Sequence, residues 1–379
     1  MLTRNKTTYP NGITLATTSF SRGADHVDEY HLMFTCYGFD GGIECRIQAI
    51  SDTFRIVMRD LDITPVFCRW FLSDIANQQP LIPEDLGSCA TSIIGQPPTD
   101  GSKAGLWVYG LSDVKSHKEG DNFYGVRHGE YSHFWMGDYL KSTDDPEKAT
   151  VSILTDYENL LKERDCSLLE NCMRTWFFVR DVDVNYKGMV VGRNRVFDTA
   201  GLTTASHFIA STGIGGKKAE AREKVIFNAY AVKGLKEGQV NYLKAPSHLN
   251  STMEYGVAFE RGTSIDYGDR RHVIISGTAS INKYGEIVHR GDLRGQTLRM
   301  MENVEKLLQS ADAGWEDVCH IIVYLRDFSD HDEVSKIFSE KLPDIPIIIV
   351  EAPVCRPGWL IEMECMAVKA TECGEYAPF

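Results

Sequence analysis

Apolar residues return at alternating steps of three and four positions in three separate stretches of the chain. That period places them on one face of an α-helix, so each stretch predicts an amphipathic helix packed on a sheet. The apolar positions are Ile47, Ile50, Phe54, Val57 and Leu61 in the first stretch, Ile153, Tyr157, Leu160 and Leu161 in the second, and Met301, Val304, Leu308 and Ala311 in the third.

A strongly apolar segment follows each predicted helix and is typical of a buried strand. These segments are "VFCRWFLSD" at 66–74, "CMRTWFFVRD" at 172–181 and "CHIIVYLRD" at 319–327. A second strand closes each copy, namely "GLWVYG" at 105–110, "VIFNAYAVKG" at 225–234 and "LIEMECMAVKA" at 360–370. Hairpin-like regions with glycine precede the second and third helices, "NFYGVRHGEYSHFWMGD" and "HVIISGTASINKYGEIVHRGD". The predicted repeat is a β-hairpin, a helix, a strand, a second helix or loop, and a strand.

The repeat predicts three tandem α+β units. Residues 1–113 form a degenerate first unit, residues 114–236 a second and residues 237–371 a complete third, followed by a tail at 372–379. The third unit has a clear second helix around "DHDEVSKIFSEKL", whereas the second unit has "YKGMVVGRNRVFDTAGLTTASHF" at the corresponding place.

The closing strand of the third unit contains two acids, Glu362 and Glu364, which share one face because side chains alternate along a strand. The opposite face is apolar and is expected to be buried. The acidic face is either wet surface or the wall of a pocket. We expect Glu364 to face solvent and Glu362 to be half buried among apolar neighbours.

Glu362 is the candidate catalytic residue. Alignment of the closing strands places Ile226 of the second unit opposite it, and a repeat used only as scaffold needs no acid there. Desolvation raises the pKa of a half-buried carboxyl, which can then donate a proton at neutral pH. An acid in one unit alone predicts a single functional cleft. A strand acid that merely faces solvent is the alternative.

Composition argues against several classes of function. The 379 residues have a net charge of −13, a pI near 5.4 and no long basic run, which disfavours nucleic acid as a partner. No apolar run approaches the roughly 18 residues that a membrane helix needs. The first residues lack the apolar segment of a secretory signal, and the ten cysteines are scattered without a CxxC pair. We therefore expect a cytoplasmic protein with mostly buried thiols.

Metal and nucleotide sites find little support in the sequence. His128 and His133 in "HGEYSH" are five positions apart, and on one strand that odd step sends the two rings to opposite faces. The "GIGG" at 213–216 lacks the G-x-G-x-x-G spacing of a dinucleotide site. We expect neither a metal nor an organic cofactor.

Residues 276–368 resemble the YjgF/RidA (endoribonuclease L-PSP-like) superfamily, through "SGTASI", "HRGD", "ENVEKLLQSADAGWEDVCHIIVYLRDFSD" and "WLIEMECMAV". The resemblance implies chorismate mutase-like units, each a mixed sheet with two helices packed on one face. Members assemble as trimers with ligand pockets between units, so three tandem units imply a pseudo-trimer within one chain. The superfamily places a functional glutamate at the position of Glu362.

Parts of residues 174–262 and 355–364 are similar to the chorismatases, YjgF-related enzymes that hydrolyse chorismate. The similar stretches are "RTWFFVRDVDVNYKGMVVGRNRVF", "ASTGIGG", "EYGVAFERG" and "CRPGWLIEME". Two departures bear on the substrate. Ile347 stands where RidA imine deaminases have the arginine that binds a carboxylate, and Asn185 and Val190 replace a cation and an amide of the chorismatases.

Three arginines are the candidate ligands for substrate carboxylates, because arginine binds them with planar, bidentate geometry. Arg193 and Arg261 lie in the chorismatase-like stretches, and Arg356 follows Cys355. Each of them could instead form a surface ion pair. Tyr186 could donate its hydroxyl to the substrate or simply be half buried.

Small residues and one cysteine complete the predicted site. Gly213 and Thr278 lie in "STGIGG" and "SGTASI", where backbone N–H groups can approach a carboxylate or ether oxygen. Cys355 is predicted to be a thiol lining the pocket, since no neighbouring base or helix N-terminus would activate it as a nucleophile.

These residues predict a cleft between the second and third units that binds a small carboxylate metabolite. If the chorismatase resemblance extends to function, protonation of the enol-ether methylene of chorismate lets water add and pyruvate leave. A RidA-like enamine or imine deaminase and a non-catalytic ligand-binding protein are the alternatives. The sequence leaves open the substrate, catalytic turnover, the role of the first unit, and whether the protein is a monomer or a homo-oligomer.

Overall fold

The chain folds into three six-stranded sheets, each built from a continuous third of the sequence. The computed structural model describes residues 1–84, 86 and 88–379. The sheets span residues 2–112, 116–233 and 240–370, and these segments are called the first, second and third units below. The predicted α+β fold of three tandem units is confirmed.

Apart from the short helix α4 of the second unit, the three units have the same kinds of element in the same order. The first contains β1 (Leu2–Thr8), β2 (Thr14–Phe20), β3 (Glu29–Thr35), α1 (Ile43–Leu61), β4 (Ile63–Leu72), α2 (Ile75–Gln78), β5 (Ala90–Gly95) and β6 (Ala104–Ser112). The second contains β7 (Ser116–Gly120), β8 (Phe123–His128), β9 (Tyr131–Leu140), α3 (Pro146–Lys162), α4 (Leu168–Asn171), β10 (Cys172–Val179), α5 (Val182–Thr199), β11 (Ala210–Gly215) and β12 (Val225–Lys233). The third contains β13 (Val240–Tyr242), β14 (Gly262–Asp266), β15 (Arg270–Ala279), α6 (Leu293–Ser310), β16 (Val318–Leu325), α7 (His331–Lys341), β17 (Ile347–Glu351) and β18 (Ile361–Ala370).

The three sheets also share one topology. Their strand orders are β1-β2-β3-β6-β4-β5, β7-β8-β9-β12-β10-β11 and β13-β14-β15-β18-β16-β17. In each sheet one pair is parallel, β4 with β5, β10 with β11, and β16 with β17. A parallel pair needs a crossover connection, and α2, α5 and α7 lie in those crossovers. Among the helices of the described residues, none is both long and apolar enough to cross a membrane.

The apolar stripes of the sequence lie on α1, α3 and α6, as predicted. Leu61 is exposed, because it is the last residue of α1. The sequence left open whether a helix or a loop follows β10 in the second unit. The structure has a helix there, α5. In the hairpin-like region of the third unit, β15 pairs with β14 and β18, and the predicted hairpin is reduced to an isolated bridge between Ile281 and Ile287.

The units meet around a shared aromatic core. Phe67 of β4 lies 5.1 Å from Trp135 of β9 and 6.0 Å from Trp176 of β10, measured between ring centroids. Trp107 of β6 stacks on His320 of β16 at 4.3 Å. Side chains of all three units therefore pack together in the interior, which gives the pseudo-trimer that the sequence predicts.

Phe379 closes a cluster in which the three units also meet. Its ring lies 4.5 Å from that of His128 and 4.6 Å from that of His272. Arg270 lies over the same ring, and its guanidinium donates to Glu29 of β3 at 2.7 Å. Phe379, in the tail beyond β18, is thus part of the core.

The Phe379→Ala variant is expected to lose about 3–5 kcal/mol of unfolding free energy, because it leaves a cavity where a whole ring was buried. Phe379 is 4% exposed, whereas Phe328 is 62% exposed and provides a matched control. Urea denaturation of both variants measures the difference. Phe328→Ala should change stability by no more than about 0.5 kcal/mol. Equal losses in the two variants would contradict the packing described here.

Candidate active site

The closing strand of the third unit, β18, is buried on both faces. Glu362 is 5% exposed and Glu364 is 3% exposed. The prediction that Glu364 faces solvent is wrong: its carboxylate accepts a hydrogen bond from Arg174 of the second unit at 2.8 Å. Strand alternation shows which side chains share a face. It does not show that other units cover that face.

A small cavity of about 40 Å³ lies where the second and third units meet. One wall comes from α5 and β11, and the other from β15, β18 and the loops that precede β14 and β18. Seven of the eight residues predicted from the sequence line it: Tyr186, Arg193, Gly213, Arg261, Cys355, Arg356 and Glu362. The lining also includes Ser211, Val257, Phe259, Gly277, Ala279, Ile281 and Trp359. Ser211 and Phe259 lie within the stretches quoted for the chorismatase resemblance, which is the signal that could have identified them.

Thr278 is the predicted residue that the lining does not include. Its side chain is buried, and its hydroxyl donates to the carbonyl of Ser276. Gly277 and Ala279, on either side of it, face the cavity because alternate residues of a strand share a face. A Cβ atom at Gly277 would overlap a carboxyl oxygen of Glu362, so any larger residue here would displace that carboxyl.

Glu362 is a carboxyl that retains its proton at neutral pH. Burial is the main cause that raises its pKa to about 8, and the nearby charge of Glu364 raises it further. Arg174 and Arg261 act in the opposite direction but do not prevent the shift. A protonated carboxyl that lines a cavity can act as a general acid.

Three guanidinium groups give the cavity a positive charge. Arg193 of α5 is buried and lies over the ring of Phe177 at 5.8 Å. Arg261 is buried beside β14, where its Nη2 donates to the backbone oxygen of Asn250 at 3.3 Å. Arg356 is half buried in the loop before β18. With Glu362 neutral, the cavity is suited to an anionic ligand.

Tyr186 and Cys355 form part of the wall. The ring of Tyr186 packs against Gly213, where a Cβ would lie 2.9 Å from the Tyr186 Cε2 atom. Burial raises the pKa of Tyr186 well above its usual value, so its hydroxyl is a donor. Burial also raises the pKa of the Cys355 thiol to about 12, with Glu362 contributing. A protonated thiol is a poor nucleophile.

His128 and His133 have a structural arrangement that differs from the predicted one. They lie on the two strands of the β8–β9 hairpin, and their rings stack with centroids 4.7 Å apart. The prediction of opposite faces is wrong because it assumed a single strand. The Nδ1 atom of His133 lies 2.8 Å from the Tyr230 hydroxyl. Within the described part of the chain, no group of three or more His, Cys, Asp or Glu side chains could hold a metal ion.

Comparison with known proteins identifies the family. The family model described as endoribonuclease L-PSP matches residues 264–369. A RutC family protein of Pyrococcus abyssi is 35% identical over 100 residues, which are 26% of this chain and 78% of that protein. The chain belongs to the RutC family. A second RutC relative, the 3-aminoacrylate deaminase of Acinetobacter baylyi, is 27% identical over 97 residues, which are 25% of this chain and 77% of that protein.

A solved structure extends the likeness beyond a single RutC unit. The crystal structure of a chorismatase aligns with a TM-score of 0.64 over 80% of this chain and 93% of that one. The two sequences are 19% identical over the aligned part, so the match establishes the fold alone. The RutC family unit is thus part of a larger, chorismatase-like architecture.

The three units of this RutC chain form three clefts, and the clefts differ in the residue at the position of Glu362. Strand register places Ile226 of β12 and Gly105 of β6 at the positions equivalent to Glu362. Ile348 of β17 approaches Gly105 so closely that its Cδ1 would lie 2.7 Å from a Cβ there. Ile347 lines the open groove of about 1050 Å³ between the third and first units and is not part of the cavity. One of the three equivalent positions is therefore an acid.

Proposed function

We propose that this protein is a hydrolase that binds a small dicarboxylate between its second and third units and protonates it with Glu362. The observation that supports this most is the presence of a protonated carboxyl and three guanidinium groups around one cavity. Cations bind the acid groups of the ligand, and the neutral carboxyl supplies the proton.

Chorismate is the substrate that fits this chemistry best. Glu362 gives its proton to the terminal methylene carbon of the enol ether, and positive charge develops at the ether carbon. Water adds to that carbon and returns a proton to the Glu362 carboxylate. The resulting hemiketal then collapses to pyruvate and a cyclic acid.

Space for the ring of the substrate is available next to the cavity. A second cavity of about 230 Å³ shares Phe259 and Arg261 with it. Ligand pockets for small molecules usually measure about 300–1,000 Å³, so both spaces are needed for a substrate of this size. We expect Phe259 and Arg261 to move when the substrate binds, with Arg261 and Arg193 each taking a carboxylate.

Deamination of an enamine is the second candidate function. It is favoured by the RutC relative named as a 3-aminoacrylate deaminase. An enamine is also protonated at carbon, so Glu362 could serve the same step. The cavity has three arginines where that chemistry would need only one, which argues against it.

Two assays on the purified protein separate these functions. Pyruvate released from chorismate, detected with a coupled dehydrogenase, would support the hydrolase. Ammonia released from freshly generated 3-aminoacrylate, without pyruvate from chorismate, would favour the deaminase. Thermal stabilisation by chorismate without turnover would indicate a ligand-binding protein and overturn the proposed hydrolysis.

The Arg261→Met variant is expected to raise KM for chorismate by about 10- to 100-fold, because a charge-assisted hydrogen bond contributes about 1.5–3 kcal/mol. The turnover number should change much less, since the carboxylate is held in the ground state as well. Arg222→Met is the matched control, because the Arg222 side chain is 66% exposed. An unchanged KM in Arg261→Met would contradict the assigned role.

A further inference from the structure

The two acids of β18 have opposite surroundings although they are two residues apart. Glu362 faces the cavity. Glu364 lies behind the cavity wall, where four side chains of the described chain donate hydrogen bonds to it. Its donors are Arg174 Nη2 at 2.8 Å, Trp176 Nε1 at 2.8 Å, Arg69 Nη1 at 3.4 Å and the hydroxyl of Thr212. These hydrogen bonds hold the carboxyl group of Glu364 in a fixed orientation.

These donors come from the two units that do not contain Glu364. Arg174 and Trp176 lie on β10 and Thr212 lies on β11, all in the second unit. Arg69 lies on β4 of the first unit and is fully buried. Its guanidinium lies 4.8 Å from the ring centroid of Trp176. The first unit thus reaches the back of the cavity wall, although its own equivalent of Glu362 is a glycine.

A chain of contacts links Glu364 to Glu362. The hydroxyl of Thr212 donates to Glu364 and accepts a hydrogen bond from the backbone N–H of Gly277 at 2.9 Å. Gly277 in turn packs against the carboxyl of Glu362, with no space for a Cβ between them. Movement of the Glu364 carboxylate would shift Thr212 and Gly277 and so change the position of the Glu362 carboxyl.

Charge provides a second link between the two acids. After burial, the Glu364 carboxylate is the strongest influence that raises the pKa of Glu362, while Arg174 and Arg261 lower it. The other titratable or charged groups that face Glu362 are Tyr186 and Arg193 of α5, Cys355 and Arg356 of the loop before β18, and Tyr324 of β16. Among the groups of the described chain that face Glu362, Glu364 is an acid that a set of buried donors holds in position.

We propose that Glu364 is a positioning residue that keeps Glu362 protonated and oriented, and that the first unit takes part in the site through Arg69. This inference deepens the proposed function and rests on it only for the role of Glu362 as the acid. The inference itself describes how the buried carboxyl of Glu364 controls the position and protonation of Glu362 through contacts that involve all three units. It gives the first unit a part in the site beyond that of scaffold.

Infrared difference titration tests the proposal without any substrate. The infrared spectrum of each variant is compared with that of the same variant carrying Glu362→Gln in addition. The protonated carboxyl band that is lost in this comparison belongs to Glu362. Glu364→Gln is expected to lower the midpoint from about 8 by about one unit or more, because a like charge is removed and Arg174 is left in place. A midpoint that does not fall would overturn the proposal.

Arg69→Met removes a positive charge instead of a negative one and keeps the test decisive if Glu364→Gln does not fold. It retains the ion pair between Arg174 and Glu364, and the unbranched, apolar side chain of methionine fills part of the space that Arg69 occupies. The Glu362 midpoint is expected to rise, on the order of half a unit, because Arg69 offsets the Glu364 charge. A merely structural role would admit water in both variants and lower both midpoints, which would refute the proposal.

A matched control and an activity readout complete the experiment. Glu351→Gln removes an acid from β17 of the same unit, outside the cavity, and should leave the midpoint unchanged. If chorismate is hydrolysed, the high-pH limb of the rate profile should move in the same directions in Glu364→Gln and Arg69→Met. Midpoint shifts without any pyruvate release would refute the proposed function and leave the positioning role intact.

Discussion

Replacement of Glu362 by glutamine is expected to lower the rate of pyruvate release from chorismate by about 10²–10⁴-fold, the usual contribution of a general acid. Glutamine has nearly the shape of the protonated carboxyl but cannot deliver a proton. The variant should fold like the wild type, because the neutral amide is as compatible with burial as the neutral acid. The coupled dehydrogenase assay measures the loss directly.

The pH dependence of the wild-type rate provides an internal check on the same residue. Since the pKa of Glu362 is raised to about 8, the rate should fall as pH rises through that value and the acid loses its proton. Glu351→Gln is the control and should retain the wild-type rate. If Glu362→Gln releases pyruvate as fast as the wild type, Glu362 is not the acid.

Stability is expected to fall steeply between pH 6 and pH 5, on the order of 4 kcal/mol, because the fold buries neutral histidines. Burial lowers the pKa of His31 and of His128 to about 4, and lowers those of His133 and His320 well below the usual value. In the unfolded chain these rings take up protons below about pH 6.5. The unfolded state then binds more protons, so the free energy of unfolding decreases as pH falls.

Glu362 has the opposite effect on the free energy of unfolding, and the expected loss of stability already takes this effect into account. Because its pKa is raised to about 8, the folded state keeps a proton that the unfolded chain loses above about pH 4.5. Each proton contributes about 1.4 kcal/mol per pH unit, so four rings opposed by one carboxyl leave three. The net effect is therefore destabilisation by acid.

Urea denaturation at pH 5, 6 and 7 tests this dependence. His31→Phe should reduce the slope of the unfolding free energy against pH by about 1.4 kcal/mol per pH unit, the contribution of one ring. The substitution suits the site, since neither ring nitrogen of His31 has a hydrogen-bond partner among the described residues. The exposed His117→Gln should keep the wild-type slope. Equal unfolding free energies at pH 5 and pH 7 would contradict the burial of neutral rings.

Local periodicity was sufficient to predict the repeated fold. Apolar stripes on α1, α3 and α6 and the apolar segments that became β4, β10 and β16 depend on which side chains face one neighbouring layer. The same reasoning left α5 undecided, because its sequence has no clear apolar stripe. Within each unit, the sequence therefore specifies the elements well.

The environment of the candidate site was harder to predict, since it depends on contacts between units. Glu364 looked like a surface acid because a strand pattern contains no information about Arg69 and Arg174, which come from two other sheets. His128 and His133 were assigned to one strand, whereas a turn places them on two. The quoted motifs contain both cavity residues that were predicted, such as Arg193, and cavity residues that were missed, such as Ser211, because a motif does not show which of its residues face the cavity.

A crystal structure of the Glu362→Gln variant with chorismate tests the central claim most directly. We predict chorismate between the second and third units, with its methylene carbon within about 3.5 Å of the residue 362 side chain. Its carboxylates should contact Arg193 and Arg261. Chorismate bound in one of the other two clefts, or absent at saturating concentration, would contradict the account.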